Sequence, residues 1–307
     1  MLGAVYRAGR ARLLIGGQGA FQPGPNRKAD MSELADVPPG VDPTRPSPAR
    51  LYDYFLGGTN NFPADREAAE YLRSRIPDVA DALWANRGFH GRAAVWMANH
   101  GIRQFLDIGS GLPTQNNTHE SVHRIDPEAR VVYVDNDPMV AAHAGALLDV
   151  DGTTAVILAD LRDPKALLSN PDLLRLIDLA EPAGILLTDV MHFVPDEEDP
   201  WGLVAQYMAA VPIGSYLALS HGTDENLPPA QTQAAAETMA KSTATVHART
   251  RAEVARFFEG LELVSPYEDA EPAVTYAGLW GAVDLEAADT DGSRGFYCGV
   301  ARRGDLP

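Results

Sequence analysis

Asp107, Asp135 and Asp160 each lie at the end of a short apolar run, and the first is followed by the glycine turn Gly109-Ser110-Gly111. The runs are Arg103 to Ile108, which carries Asp107, Val131-Val-Tyr-Val134 and Ala155-Val-Ile-Leu-Ala159, each one βα unit from the next. Acids at the carboxyl ends of parallel strands, with a glycine turn after the first, describe a pocket for a nucleotide-like ligand. The glycines let backbone approach the ligand closely, and an acid after the second strand can hold both ribose hydroxyls.

A dinucleotide fits this pattern poorly. A pyrophosphate site needs Gly-x-Gly-x-x-Gly, with the third glycine packing helix on strand. Here Leu112-Pro113-Thr114 follows Gly111, so the third glycine is missing. Asp107 would repel a diphosphate, whereas it suits a ligand carrying an ammonium and a sulfonium. Both points disfavour an NAD-dependent oxidoreductase.

Positioning these acids requires alternating strands and helices. The pattern predicts strands at 103–108, 130–135, 154–159, 183–189 and 214–220, with helices from about 118, at 138–149, 163–178, 199–211, 229–247 and 250–258. Two β-like segments, 261–264 and 295–300, close the chain as a plausible antiparallel hairpin. Alternation of this kind predicts an α/β, Rossmann-like, doubly wound, seven-stranded and mostly parallel sheet with right-handed crossovers. Three helices precede it. One covers residues 49–56 and stops at Gly57-Gly58, one begins at Pro63, and one runs from Pro77 to His100. They form an N-terminal helical cap, giving a division into a disordered extension (1–45), the cap (46–101) and the sheet domain (102–307).

The net charge of −17 argues against binding a phosphate backbone, so no nucleic-acid partner is expected. The single cysteine, Cys298, excludes a disulfide framework and fits a reducing cytoplasm; within Phe296-Tyr-Cys-Gly-Val300 it reads as a small buried side chain. No apolar run reaches the ~20 residues of a membrane span. Arg7, Arg10 and Arg12 before Leu13-Leu-Ile15 loosely suggest a signal peptide, but that apolar core is too short. Residues 1–30 are expected to be an extension without a functional role.

The segment Pro46-Ser-Pro-Ala-Arg-Leu-Tyr-Asp-Tyr-Phe-Leu-Gly-Gly-Thr-Asn-Asn-Phe-Pro-Ala-Asp65 goes beyond a generic nucleotide fold. Together with Phe105–Gln115, Val131–Pro138 and Leu217–His221, it resembles the bacterial S-adenosyl methyltransferase family, from about Gly40 to the C-terminus. The resemblance implies a class I fold, S-adenosylmethionine (SAM) as cofactor, and transfer of its methyl group to an unidentified acceptor. It places Asp107, Gly109 and Gly111 at the methionine end, Asp135 on the ribose with Asn136 at the adenine edge, and Asp160 with Leu161 at the adenine amino group.

Methyl transfer from SAM needs mostly positioning and, for an oxygen or nitrogen acceptor, a base. His192, past the fourth strand, and His221, past the fifth, are the natural bases near neutral pH and the expected catalytic residues. Asn60, in the polar turn between cap helices, is an expected ligand contact, and Arg87 can pair with the cofactor carboxylate or with a protein acid. Trp280 and Tyr276 are candidates for an acceptor wall. His119-Glu-Ser-Val-His123 spells the zinc motif H-E-x-x-H, but Pro127 leaves too short a helix and no metal site is expected. The acidic surface and the cap favour a small-molecule acceptor. A non-catalytic SAM- or nucleoside-binding regulatory protein is the alternative, because such sites need no obligatory catalytic residue.

Overall fold

The computed structural model describes residues 37–148 and 152–305, with the side chains of 144–148 excepted. The expected extension at 1–30 falls outside the described residues. The chain begins with α1 (Pro48–Phe55), α2 (Pro63–Arg75) and α3 (Val79–Asn99). β1 (Gln104–Ile108), α4 (Thr118–Val122), β2 (Arg130–Asp135), α5 (Pro138–Leu148) and β3 (Thr154–Leu158) follow. Next come α6 (Pro164–Leu168), α7 (Pro171–Leu176), β4 (Gly184–Thr188), α8 (Pro200–Ala209) and β5 (Tyr216–Gly222). The last part holds α9 (Pro229–Lys241), α10 (Arg251–Ala255), β6 (Glu262–Leu263), β7 (Thr275–Tyr276), α11 (Leu285–Ala288) and β8 (Phe296–Arg302).

Proline sets where many of these helices start. Pro48, Pro63, Pro164, Pro171, Pro200 and Pro229 stand in first turns, where the missing N–H has no intrahelical partner to lose. The same rule breaks the helix expected over 163–178. Asn170 accepts from the Asp172 N–H and Pro171 restarts the chain, so α6 and α7 are separate. The helix expected to reach 247 stops at Lys241, and residues 243–250 run on without helical structure.

The sheet has eight strands in the order β3-β2-β1-β4-β5-β8-β6, with the two-residue β7 pairing β8 beside this path. β1 lies between β2 and β4, both parallel to it, so the strand order reverses at β1/β4. A crevice opens outside the carboxyl ends of the strands at such a switch point. The closing segments are antiparallel as expected, but β8 inserts between β5 and β6 instead of forming a simple hairpin.

Alternation along the strands feeds two cores. Leu106, Ile108, Val132, Val134, Ile185 and Leu187 face α6, α7 and α8, while Phe105, Val131, Tyr133 and Leu186 pack against Phe89, Ala93 and Met97 of α3. Each fully buried Leu or Phe contributes about 1.5–3 kcal/mol. α3 therefore belongs to the helical layer on the sheet, which narrows the cap to α1, α2 and α9. Leu51, Phe55, Leu72 and Ile76 make that cap's core, with Ala235 and Met239 packed on it. The packed chain also starts before residue 45, since Val37 and Val41 rest on Phe62, Leu112, Met139 and Val140.

Candidate functional site

The glycine turn is fixed by β2. The N–H groups of Gly109 and Ser110 donate to the Val134 carbonyl at 2.7 and 3.1 Å. Gly109 (φ 74°) and Gly111 (φ 65°) hold left-handed backbone, and a Cβ on Gly109 would lie 2.3 Å from Cγ2 of Val190. Beyond the turn, the Gly111 N–H donates to Asp135 Oδ2 at 2.8 Å and the Asp137 N–H to Oδ1 at 2.9 Å. Each Asp135 oxygen is thus oriented by one backbone donor and keeps further acceptor capacity. Burial pushes this carboxyl above the usual range, against the lowering effect of those donors. At the end of β3, Arg162 forks onto Asp160 with Nε 2.9 Å from Oδ1, and this pairing holds Asp160 below its usual value.

The Pro46–Asp65 signature builds the roof. Ser47 caps α1, and its hydroxyl donates to Asp137 Oδ2 at 2.9 Å. Arg50 and Asp65 form a fully buried ion pair at 2.7 Å, and Asp65 also accepts from the N–H groups of Ser47 and Phe62. Arg50 further donates to the carbonyls of Asp42 and Arg45, which fastens residues 40–47 over the crevice. Buried Asp53 accepts from Thr114 Oγ1 at 2.7 Å, the Asn60 N–H at 2.9 Å and Asn61 Nδ2 at 2.9 Å, joining the cap to the segment after the glycine turn.

The far wall comes from the end of β4. Asp189 has left-handed backbone (φ 60°), and its N–H donates to the Ser220 carbonyl and hydroxyl, both at 3.1 Å. Ser220 donates to Asn86 Oδ1 at 2.5 Å, and Asn86 Nδ2 donates to the Tyr52 hydroxyl at 3.0 Å. Next to Asn86, buried Arg87 donates to the Gln115 carbonyl at 2.7 Å and Asn117 Oδ1 at 3.2 Å. It makes no ion pair among the described residues. These groups enclose a cavity of about 610 Å³ at the switch point.

Gly109, Gly111, Asp135 and Asn136 line this cavity. So do Asp160, Leu161 and Arg87, from three further segments of the chain. Asp107 does not. It alternates to the α3 side of β1, where Thr118 Oγ1 donates to its Oδ2 at 2.6 Å, and burial raises its pKa to about 6. His90 joins the same chain, with Nε2 2.7 Å from Thr118 Oγ1 and Nδ1 2.9 Å from Thr188 Oγ1. Asn60 also lies off the cavity, its backbone turned onto Asp53.

The two expected bases stand behind the wall. His221 is fully buried, and its ring stacks on Phe257. Arg249 donates to its Nε2 at 2.8 Å, so Nδ1 carries the proton and donates to the Gly222 carbonyl at 2.8 Å. Burial lowers its pKa to about 3, and both nitrogens are already engaged. His192 packs edge-on against His221, with Nδ1 3.5 Å from Asp189 Oδ1, and burial holds it well below the usual histidine value. Of the described histidines only His247 lines the cavity, beside Phe193 and Met239. Trp280 is buried against Phe89 and Tyr276 stacks on Tyr297, so neither forms a wall. In the H-E-x-x-H segment, Glu120 caps the Asn117 N–H at 2.9 Å and His123 Nε2 meets the Ala129 carbonyl at 2.9 Å.

Sequence reasoning missed Asp189, although the signal was present. Gly184-Ile-Leu-Leu-Thr-Asp189 is a fourth apolar run ending in an acid.

Residues 35–304 match the model of the family described as S-adenosyl methyltransferase. The chain belongs to that family. SAM is therefore its cofactor. Two solved structures are similar over nearly the whole of their own chains. One is a protein of the DUF574 family from Streptomyces avermitilis, 40% identical, covering 84% of this chain and 98% of that one, with a TM-score of 0.78. The other is a Thermobifida fusca protein provisionally named a methyltransferase, also 40% identical, covering 88% of this chain and 99% of that one, with a TM-score of 0.79. No curated protein matches the chain.

Proposed function

We propose that the switch-point cavity binds SAM and that the protein transfers its methyl group to a small-molecule acceptor. One arrangement carries the reading: the Gly109–Gly111 turn and the pre-oriented Asp135 carboxylate share a wall with Arg87, a buried cation that makes no ion pair among the described residues. Bound SAM supplies a methyl group on a sulfonium that is already its leaving group. The protein's task is then to hold, orient and exclude water. Asp135 accepts from the ribose hydroxyls and Arg87 from its side donates to the cofactor carboxylate. Gly109 and Gly111 let the backbone close on the ligand. Asn136, Asp160 and Leu161 border the adenine, with Leu161 fixed by the Tyr207 hydroxyl on its carbonyl at 2.7 Å.

Phe193, Met239 and His247 form the acceptor side. His247 is the imidazole there that can accept an acceptor proton, while His192 backs Asp189. The roof of residues 40–50 and the overall charge of −17 favour a small acceptor over a nucleic acid. A non-catalytic SAM-binding role draws its support from the enclosed state of His192 and His221. Incubating the protein with SAM and a small-molecule fraction of cell extract separates the two readings. Methyl transfer predicts S-adenosylhomocysteine formation that depends on the fraction; its absence in every fraction, with SAM still bound, supports the regulatory role.

A further inference from the structure

Two cavity-wall groups of opposite sign, neither paired with a Lys, Arg, Asp or Glu side chain among the described residues, stand on one hydrogen-bonded framework. Arg87 is one; Asp189 is the other. Among the other charged wall residues, Arg50 pairs with Asp65 and Arg162 with Asp160, Arg45 donates to the Lys241 carbonyl, and Asp42 accepts from Thr44, Asp137 from Ser47 and the Met139 N–H, and Asp135 from two backbone donors. Among the described residues the partner that approaches the Asp189 carboxylate is His192, whose Nδ1 stands 3.5 Å away. The buried, neutral imidazole supplies no positive charge and burial pushes the Asp189 carboxyl well above the usual carboxylate range, so a cationic group bound beside it is what favours its ionised form.

The spacing is built in. The left-handed Asp189 backbone is pinned through its N–H to Ser220, Ser220 to Asn86, and Asn86 precedes Arg87 on α3. Tyr52, bonded to Asn86, stands in the electrostatic field of both Asp189 and Arg87. Val190, next to Asp189, packs directly on Gly109, and Arg87 holds the Gln115 carbonyl in the segment after the turn. An α-amino acid presents a carboxylate and an ammonium from one carbon, and this wall presents a cation and an anion around one turn.

Resting on the cofactor reading above, we infer that Asp189 and Arg87 form a zwitterion clamp, Asp189 accepting from the α-ammonium and Arg87 donating to the α-carboxylate of the cofactor. Asp189 thereby fills the role that Asp107, facing the opposite side of β1, does not. The clamp makes an intact α-amino-acid end a condition of tight binding.

Calorimetric titration with three probes tests this without an acceptor: S-adenosylhomocysteine, its decarboxylated analogue (ammonium only) and methylthioadenosine (neither charge). Asp189→Asn keeps the left-handed backbone, which asparagine tolerates, and removes the ability to ionise against a bound ammonium. It should weaken S-adenosylhomocysteine and the decarboxylated analogue on the order of 10- to 100-fold and leave methylthioadenosine unchanged. Arg87→Met should weaken S-adenosylhomocysteine similarly but spare the decarboxylated analogue. Unchanged methylthioadenosine binding also reports an intact fold. Equal loss for all three probes in Asp189→Asn, or no loss for any, overturns the clamp while leaving the cofactor reading in place. Wild-type protein that binds none of the probes overturns both.

Discussion

The Ser47 hydroxyl donates to Asp137 across 2.9 Å, and this contact closes the first turn of the cap onto the loop after β2. The roof behind it depends on the Arg50–Asp65 pair, which is buried on both sides. Asp65→Asn leaves the Arg50 cation uncompensated and should lower the unfolding free energy by about 3–5 kcal/mol in urea denaturation. Cofactor affinity should fall with it, because residues 40–47 lose their anchor. An unchanged denaturation midpoint would show that the pair does not hold the roof.

Truncation separates the extension from the roof. No described wall residue precedes Gly40, so removing residues 1–30 should leave both melting temperature and S-adenosylhomocysteine affinity unchanged. Removing residues 1–47 deletes Gly40, Val41, Asp42, Arg45 and Ser47 from the wall and should reduce both. Equal behaviour of the two truncations would make residues 31–47 irrelevant to the site.

The two glycines of the turn differ in what a side chain would meet. Gly111→Ala carries only left-handed strain, since nothing lies within 4 Å of its Cβ, and should cost about 1–2 kcal/mol. Gly109→Ala adds overlap with Val190 and should cost about 3 kcal/mol or more. Equal denaturation midpoints for the two variants would contradict the close packing of the turn.

Asp107 gives stability a defined pH dependence. Burial raises its folded pKa to about 6 from an ordinary 3.8, so the folded state binds more protons than the unfolded state between those values. Its contribution is therefore full below about pH 4 and is lost as pH rises through about 6, by up to about 3 kcal/mol. The stability of wild type relative to Asp107→Asn should decline accordingly in urea titrations from pH 4 to 7. A difference constant over that range would refute the assignment.

His221 and Arg249 serve the fold instead of the cavity. Arg249 also donates to the carbonyls of Met191 and Val194 and pairs with Asp196 at 2.6 Å, tying the segment after β4 to β5. His221→Leu removes the Nε2 acceptor and the bond to Gly222, and should cost about 1–3 kcal/mol. S-adenosylhomocysteine affinity should stay within about twofold of wild type. A large affinity loss at unchanged stability would return His221 to the site.

The strand positions and the Gly109, Gly111, Asp135 and Asp160 positions of the cavity wall were legible because both depend on local patterns. The apolar runs at Phe105, Val131 and Ala155 set the strands, and the glycines and acids after them follow the strand ends. Side-chain direction was not legible. Asp107 and Asp135 both sit at strand ends, yet Asp107 lies one residue before the last of β1 and alternates to the α3 face. The burial of the histidines was not legible for a related reason: His221 lies within β5, not past it, and its neighbours in space, Arg249 and Phe257, are distant in sequence. The Ser47, Arg50, Asp53 and Asp65 network was visible only as an unusual motif, because its meaning lies in buried bonds between segments.

The central claim is that this cavity is the SAM site. Calorimetric titration of the wild type and Asp135→Ala with SAM tests it most directly. The account predicts saturable, one-to-one binding at sub-millimolar concentration and an affinity loss on the order of 100-fold in Asp135→Ala. Absence of binding by the wild type, or equal affinity for the two proteins, would contradict it.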